Sequence, residues 1–143
     1  ADNGGYLPIH HASLSRCPEF CRALIEEYPG SERMIDTNGI LPLYYACRYN
    51  TLATVEYLYK LYPDAINHAT NSTGCYPIHY VITNLIHRTN LTVAVDIVKF
   101  LLDSNPNVKL QKVGGEDSLL DFACSLEYND LNTDAALEII KAI

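Results

Sequence analysis

The chain has 143 residues, is 48% hydrophobic and carries a net charge of −7 at neutral pH. That apolar content supports one packed domain and argues against disorder. No dense Lys/Arg run exists to meet a phosphate backbone, no apolar run is long enough to cross a bilayer, and no leader-like succession opens the chain, so neither nucleic acid nor direct membrane insertion is expected.

In chain order, the turn formers Asp2-Asn3-Gly4-Gly5 lead into Gly5-Tyr6-Leu7-Pro8-Ile9-His10-His11-Ala12. Pro8 suits the first turn of a helix, where its missing N–H costs nothing and its φ is already set. A second helix follows, with Phe20, Cys21, Leu24, Ile25 and Tyr28 at the spacing of one buried stripe, and Pro29 stops it. The pattern then recurs. Asp36-Thr37-Asn38-Gly39 precedes Ile40-Leu41-Pro42-Leu43-Tyr44-Tyr45-Ala46, and a second helix carries Val55, Leu58, Tyr59 and Tyr62 up to Pro63. Asn71-Ser72-Thr73-Gly74 precedes Cys75-Tyr76-Pro77-Ile78-His79-Tyr80-Val81, with Ile97, Val98, Leu101 and Leu102 before Pro106. A fourth unit opens with the irregular turn Val113-Gly114-Gly115-Glu116-Asp117. It continues through Ser118-Leu119-Leu120-Asp121-Phe122-Ala123 and ends with Ala136, Ile139, Ile140 and Ile143.

Pro8 to Pro42 is 34 residues, Pro42 to Pro77 is 35, and Pro77 to Leu119 is 42. The third unit therefore holds an insert of about eight residues, near Leu85 to Thr92, before its second helix. Its reading is a surface extension of the first helix or turn, with Ile86, His87 and Arg88 as the alternative, a partner contact. The longer stretch from Glu127 to Thr133 in unit four is expected on the same side.

The recurring Gly-x-Leu-Pro-Leu/Ile-His/Tyr-x-Ala resembles the ankyrin repeat, whose hallmark is Thr-Pro-Leu-His with a following Ala. The resemblance covers essentially the whole chain and implies an all-α, ankyrin-type helix-turn-helix solenoid of about four repeats. These approximate to residues 2–35, 36–69, 70–112 and 113–143 of a single domain, expected to be a segment of a longer protein. Leu7, Leu41 and Tyr76 stand where the family has its capping Thr and cannot cap in that way. Ser118 and Asp121 read as a capping box instead. The structural motif residues are thus Pro8, His10, Pro42, Tyr44, Pro77, His79, Ser118 and Asp121, with the two histidines hydrogen-bonding backbone rather than acting as bases.

The five cysteines, Cys17, Cys21, Cys47, Cys75 and Cys124, are odd in number and match no disulfide framework. They read as reduced thiols of an intracellular, cytoplasmic protein. Cys21 belongs to the apolar stripe, and Cys47 and Cys124, each following a motif Ala, are expected inside their helix pairs; Cys75 is at a finger tip. Cys17 and Cys21 beside His10 and His11 have no familiar zinc spacing. No nucleophile elbow, phosphate loop or dinucleotide fingerprint occurs, so no enzyme and no cofactor is expected.

The resemblance implies a protein partner, bound on the concave surface of fingers and first helices. Tyr6 and Ile40, at the variable finger position, have no core to enter there and become interface candidates. Leu14, Ser15, Arg48, Tyr49, Thr83 and Asn84 lie near the ends of the first helices, and Arg88 lies in the insert. Tyr45, Tyr80, Phe122 and their counterpart His11 are expected to contact the neighbouring repeat. A second reading is a structural segment docked permanently in a larger array or assembly, because the last helix, Ala135 to Ile143, is strongly apolar and a free terminal repeat needs a polar outer face.

Overall fold

A computed structural model describes every residue except Arg16. Four helix pairs follow one another: α1 (Pro8–Ser15) with α2 (Pro18–Glu27), α3 (Pro42–Tyr49) with α4 (Leu52–Leu61), α5 (Pro77–Thr83) with α6 (Leu91–Ser104), and α7 (Leu119–Ser125) with α8 (Thr133–Ala142). The first helices stack in one layer, α1 on α3 on α5 on α7, and the second helices in another, α2 on α4 on α6 on α8. Each pair alone is too small to bury its apolar stripe, and stacking makes the core continuous. Leu43, Tyr44, Val55, Leu58, Ile78, Ile97, Leu101, Leu119 and Ile139 run through it from pair two to pair four.

The proline-led helix starts are seated as the sequence implies. Leu41 and Tyr76 adopt extended backbone at φ −84° and −100° before their prolines. The lost Thr caps are replaced in two repeats by the histidine three positions on. His10 Nδ1 accepts from the Leu7 N–H at 2.9 Å, and His79 Nδ1 accepts from the Tyr76 N–H at 3.0 Å. That leaves the proton on Nε2, which in His10 donates to the Met34 carbonyl at 2.9 Å. Ser118 Oγ accepts from the Asp121 N–H at 3.1 Å, while the Asp121 carboxylate takes the Ser118 hydroxyl at 2.6 Å rather than its backbone N–H. The capping box is therefore only half formed.

The fingers stack in register. In each of the first three, a polar side chain closes the turn: Asp2 Oδ1 accepts from Gly4 and Tyr6, Asp36 Oδ1 from Asn38 and Ile40, and Thr70 Oγ1 from Cys75. The fourth is a tight hairpin closed by a Val113–Asp117 bridge over Gly114 and Gly115, both at positive φ. Gly74 also has positive φ, 65°, and a Cβ there would stand 2.9 Å from the Gly114 nitrogen. Only glycine permits that backbone-to-backbone approach. Short 3-10 turns that the sequence did not reveal follow the second helices, at Pro63–Asn67 and Pro106–Leu110.

Several expectations change. Of the stripe assigned to α2, only Cys21 is buried; Phe20 is 49% and Tyr28 62% exposed. Leu24 and Ile25 of the same stripe are half-buried against the core. Cys124 is exposed, unlike Cys47, which the packing of α5 on α3 encloses. Tyr59 and Tyr62 are half-buried against the core. The insert is not simply superficial. Asn84–His87 extends α5 as a 3-10 turn and Leu85 is 1% exposed, while Ile86, His87, Thr89 and Asn90 face solvent.

Candidate interaction surface

Side chains on the first helices knit each repeat to the next. Tyr45 lies against Tyr6 and His10, with ring centroids 5.5 and 5.7 Å apart. Tyr80 meets Tyr44 at 5.3 Å, and Phe122 meets His79 at 4.9 Å, both edge-on. His11, the counterpart in repeat one, stays within its own repeat, against Tyr6 and Asp2. The Tyr45 hydroxyl donates to Asp36 Oδ2 at 2.6 Å in a buried site. Burial, reinforced by that carboxylate, pushes the Tyr45 phenol well above its usual pKa. Burial likewise holds His79 at about 4 and lowers His10. Neutral imidazoles enclosed in this way are caps. Among the described residues, no group of three or more His, Cys, Asp or Glu is placed to hold a metal ion.

The residues singled out from the sequence divide into two groups. Asn84 is 1% exposed, and its amide donates to the Arg48 carbonyl at 2.6 Å. Arg88 turns inward too, donating from Nη1 to the Asn50 carbonyl at 3.0 Å and from Nη2 to the Cys47 carbonyl at 2.5 Å. Both satisfy carbonyls at the C-terminal end of α3, which no intrahelical N–H reaches. Ile40 packs against the core, and Tyr6 is half-buried under its ring contacts. A finger position does have a core to enter, because the next repeat supplies one.

Ser15, Thr83 and Tyr49 stay exposed, and Leu14 and Arg48 are half-exposed. Thr83 uses its hydroxyl on the His79 carbonyl at 2.8 Å. The Arg48 guanidinium sits 4.9 Å from the Tyr49 ring centroid and 6.0 Å from that of Tyr80, a cation on two aromatic faces from adjacent repeats. Beside it opens a cleft of about 390 Å³ whose walls come from three successive repeats: Ser15 from the first, Tyr49 and Thr51 from the second, His87, Arg88 and Asn90 from the third. The insert thus builds one wall. A smaller groove of about 230 Å³ joins Leu91 and Thr92 at the start of α6 to Leu131 and Asp134 of repeat four, so the two long inter-helix segments do lie on one side.

Stacked helix pairs, aligned glycine fingers and histidine-capped first helices are the geometry of one family, and a model of ankyrin repeats in three copies matches residues 9–112. The chain belongs to the ankyrin repeat family. Repeat four lies beyond the matched residues, in keeping with its Leu119 in place of proline and its hairpin finger. No curated protein matches the chain. Ankyrin repeats generally mediate protein–protein interaction and are typically non-enzymatic modules. No helix of the described residues is long and apolar enough to cross a membrane.

Proposed function

We propose that this ankyrin array binds a segment of another protein across the ends of its first helices. The observation that carries the reading is the convergence of Ser15, Tyr49 and Arg88 on one cleft beside the exposed Arg48–Tyr49–Tyr80 stack. Tyr and Arg are the side chains that most often anchor interfaces, since each offers a broad flat contact and a polar end. Arg48 makes no ion pair among the described residues, so its charge is available to a carboxylate of the partner. Arg88 and Asn84 act one layer beneath, by fixing the backbone that presents Arg48 and Tyr49. Tyr6, Leu14, Ile40 and Thr83 border this surface rather than form its centre.

The test is selection of binders from a random peptide library displayed on phage, with the intact chain as bait. Recovered peptides are expected to be acidic and to lose at least about tenfold in affinity on Tyr49→Ala or Arg48→Ala, the loss typical of an anchor residue. Binders indifferent to both substitutions, in chains that remain folded by circular dichroism, would place the surface elsewhere.

A further inference from the structure

The chain carries a net charge of −7, yet no Asp or Glu lines the cleft bordered by Ser15, Tyr49 and Arg88. Its basic groups are Arg88 and His87 on the wall and Arg48 at the rim, over the Tyr49 ring. Neither arginine forms an ion pair among the described residues. Arg88 spends two N–H groups on the Cys47 and Asn50 carbonyls, and its Nε is buried without a partner. Burial pulls the pKa of this guanidinium down, and no carboxylate of the described residues pairs with it to offset that cost.

The backbone adds charge of the same sign. Thr51 and Asn90, both lining the cleft, are the N-caps of α4 and α6. Two helix N-termini from adjacent repeats thus open on one space, and their dipoles place partial positive charge there. Thr51 accepts from the Thr54 N–H and Asn90 from the Val93 N–H, so the first N–H groups of each helix have no partner inside it. The hydroxyls of Ser15 and Thr89 and the amide nitrogen of Asn90 make no hydrogen bond to the described residues. Donors and positive charge therefore converge from three repeats on a cleft that holds no anion of its own.

We infer that this cleft takes a phosphorylated side chain of the partner segment, an inference that rests on the peptide-binding surface proposed above and narrows what binds there. A phosphate monoester carries roughly two negative charges and three acceptor oxygens near neutral pH. A carboxylate, with one charge and two oxygens, leaves several of these donors unused. A guanidinium with spare N–H groups matches phosphate oxygens in geometry as well as charge. The acidic balance of the chain sets the size of the ligand. An extended polyanion is repelled by the rest of the surface, whereas a single phosphoryl group meets only the cleft.

The test immobilises the intact chain and offers it random peptides with a central phosphoserine, phosphothreonine or phosphotyrosine, beside matched sets with the unmodified residue or Glu. One phosphorylated set is expected to be enriched. Its peptides are expected to bind at least about tenfold more tightly than their unmodified and Glu forms, through charge-assisted bonds to the phosphate. Thr51→Asp with Asn90→Asp brings two carboxylates to the cleft and keeps both helix caps, since Asp caps as well as Asn. That pair is expected to abolish the preference for phosphate with an unchanged circular dichroism spectrum. Thr89→Glu, at an exposed position of the insert, is expected to weaken it in the same direction. No preference for any phosphorylated set overturns the inference, and so does a preference that survives the Asp pair and Thr89→Glu. Unmodified peptides that bind as tightly and depend on Tyr49 overturn it while leaving the peptide-binding surface in place. Phosphopeptides sensitive to the Asp pair but indifferent to Tyr49→Ala and Arg48→Ala support it and remove those two residues as anchors.

Discussion

The guanidinium of Arg88 donates to the carbonyl of Cys47 at 2.5 Å across 41 residues of sequence, and its other arm reaches Asn50 at 3.0 Å. The residue sits in the insert of repeat three and finishes the first helix of repeat two. Replacing it with Ala strands two carbonyls and removes charge-assisted bonds worth about 1.5–3 kcal/mol each, so unfolding free energy is expected to fall by at least about 2 kcal/mol. Arg88→Lys keeps the charge but not the fork, and is expected to recover less than half of that loss in urea titrations. An Arg88→Ala chain as stable as wild type would make the insert a surface feature after all.

The Tyr45–Asp36 bond makes a second stability claim. Both groups are 5% exposed, and Asp36 already accepts from the Asn38 and Ile40 N–H groups at its other oxygen. Tyr45→Phe takes one donor from a buried carboxylate, at an expected cost of about 1–3 kcal/mol. Tyr6→Phe, which leaves that bond in place, is expected to cost far less, and thermal unfolding of the two variants provides the comparison.

The pH response follows from the capping histidines. Burial holds His79 at about 4 and lowers His10 in the same direction, against about 6.5 in an unfolded chain. Above pH 6.5 neither state takes up a proton and the full stability is present. As pH falls below that value the unfolded chain is protonated while the folded one is not, and stability is lost until the folded pKa is reached. His79 alone accounts for about 2 kcal/mol of loss by about pH 5. His79→Asn, whose Oδ1 can still accept from the Tyr76 N–H, is expected to flatten the urea midpoint between about pH 7 and pH 5.

Two glycines separate backbone conformation from crowding. Gly74 and Gly114 both have positive φ, 65° and 57°, but a Cβ on Gly74 meets the Gly114 backbone at 2.9 Å, while one on Gly114 meets nothing within 4 Å. Each change to Ala costs about 1 kcal/mol for conformation, and Gly74→Ala adds the displacement of a neighbouring finger. Equal melting temperatures for the two variants would show that the fingers are not in rigid contact.

Much of the fold was legible because its signals are local. Pro8, Pro42 and Pro77 mark helix starts whatever surrounds them, and the glycine at each finger is demanded by its own φ. The site was less so. Asn84 and Arg88 read as exposed polar residues of a helix end and an insert, since nothing nearby in sequence reveals that the end of α3 lacks donors. Ile40 and Tyr6 depart from expectation for a similar reason, because the groups that cover them, the core for Ile40 and Tyr45 of the next repeat for Tyr6, are distant in sequence or set by stacking. Phe20 and Cys124 differ in the opposite direction: the equivalent Thr54 and Cys47 are buried, whereas these two are exposed.

The sequence by itself determined the repeat: its period, its helix boundaries, its histidine and proline positions and its all-α class, each set by interactions within about one turn of the chain. Tertiary structure alone decided which side of each helix is an interior and which is a surface. Burial in a solenoid depends on a neighbour about one repeat away, and two identical motifs differ in exposure solely by whether that neighbour is there.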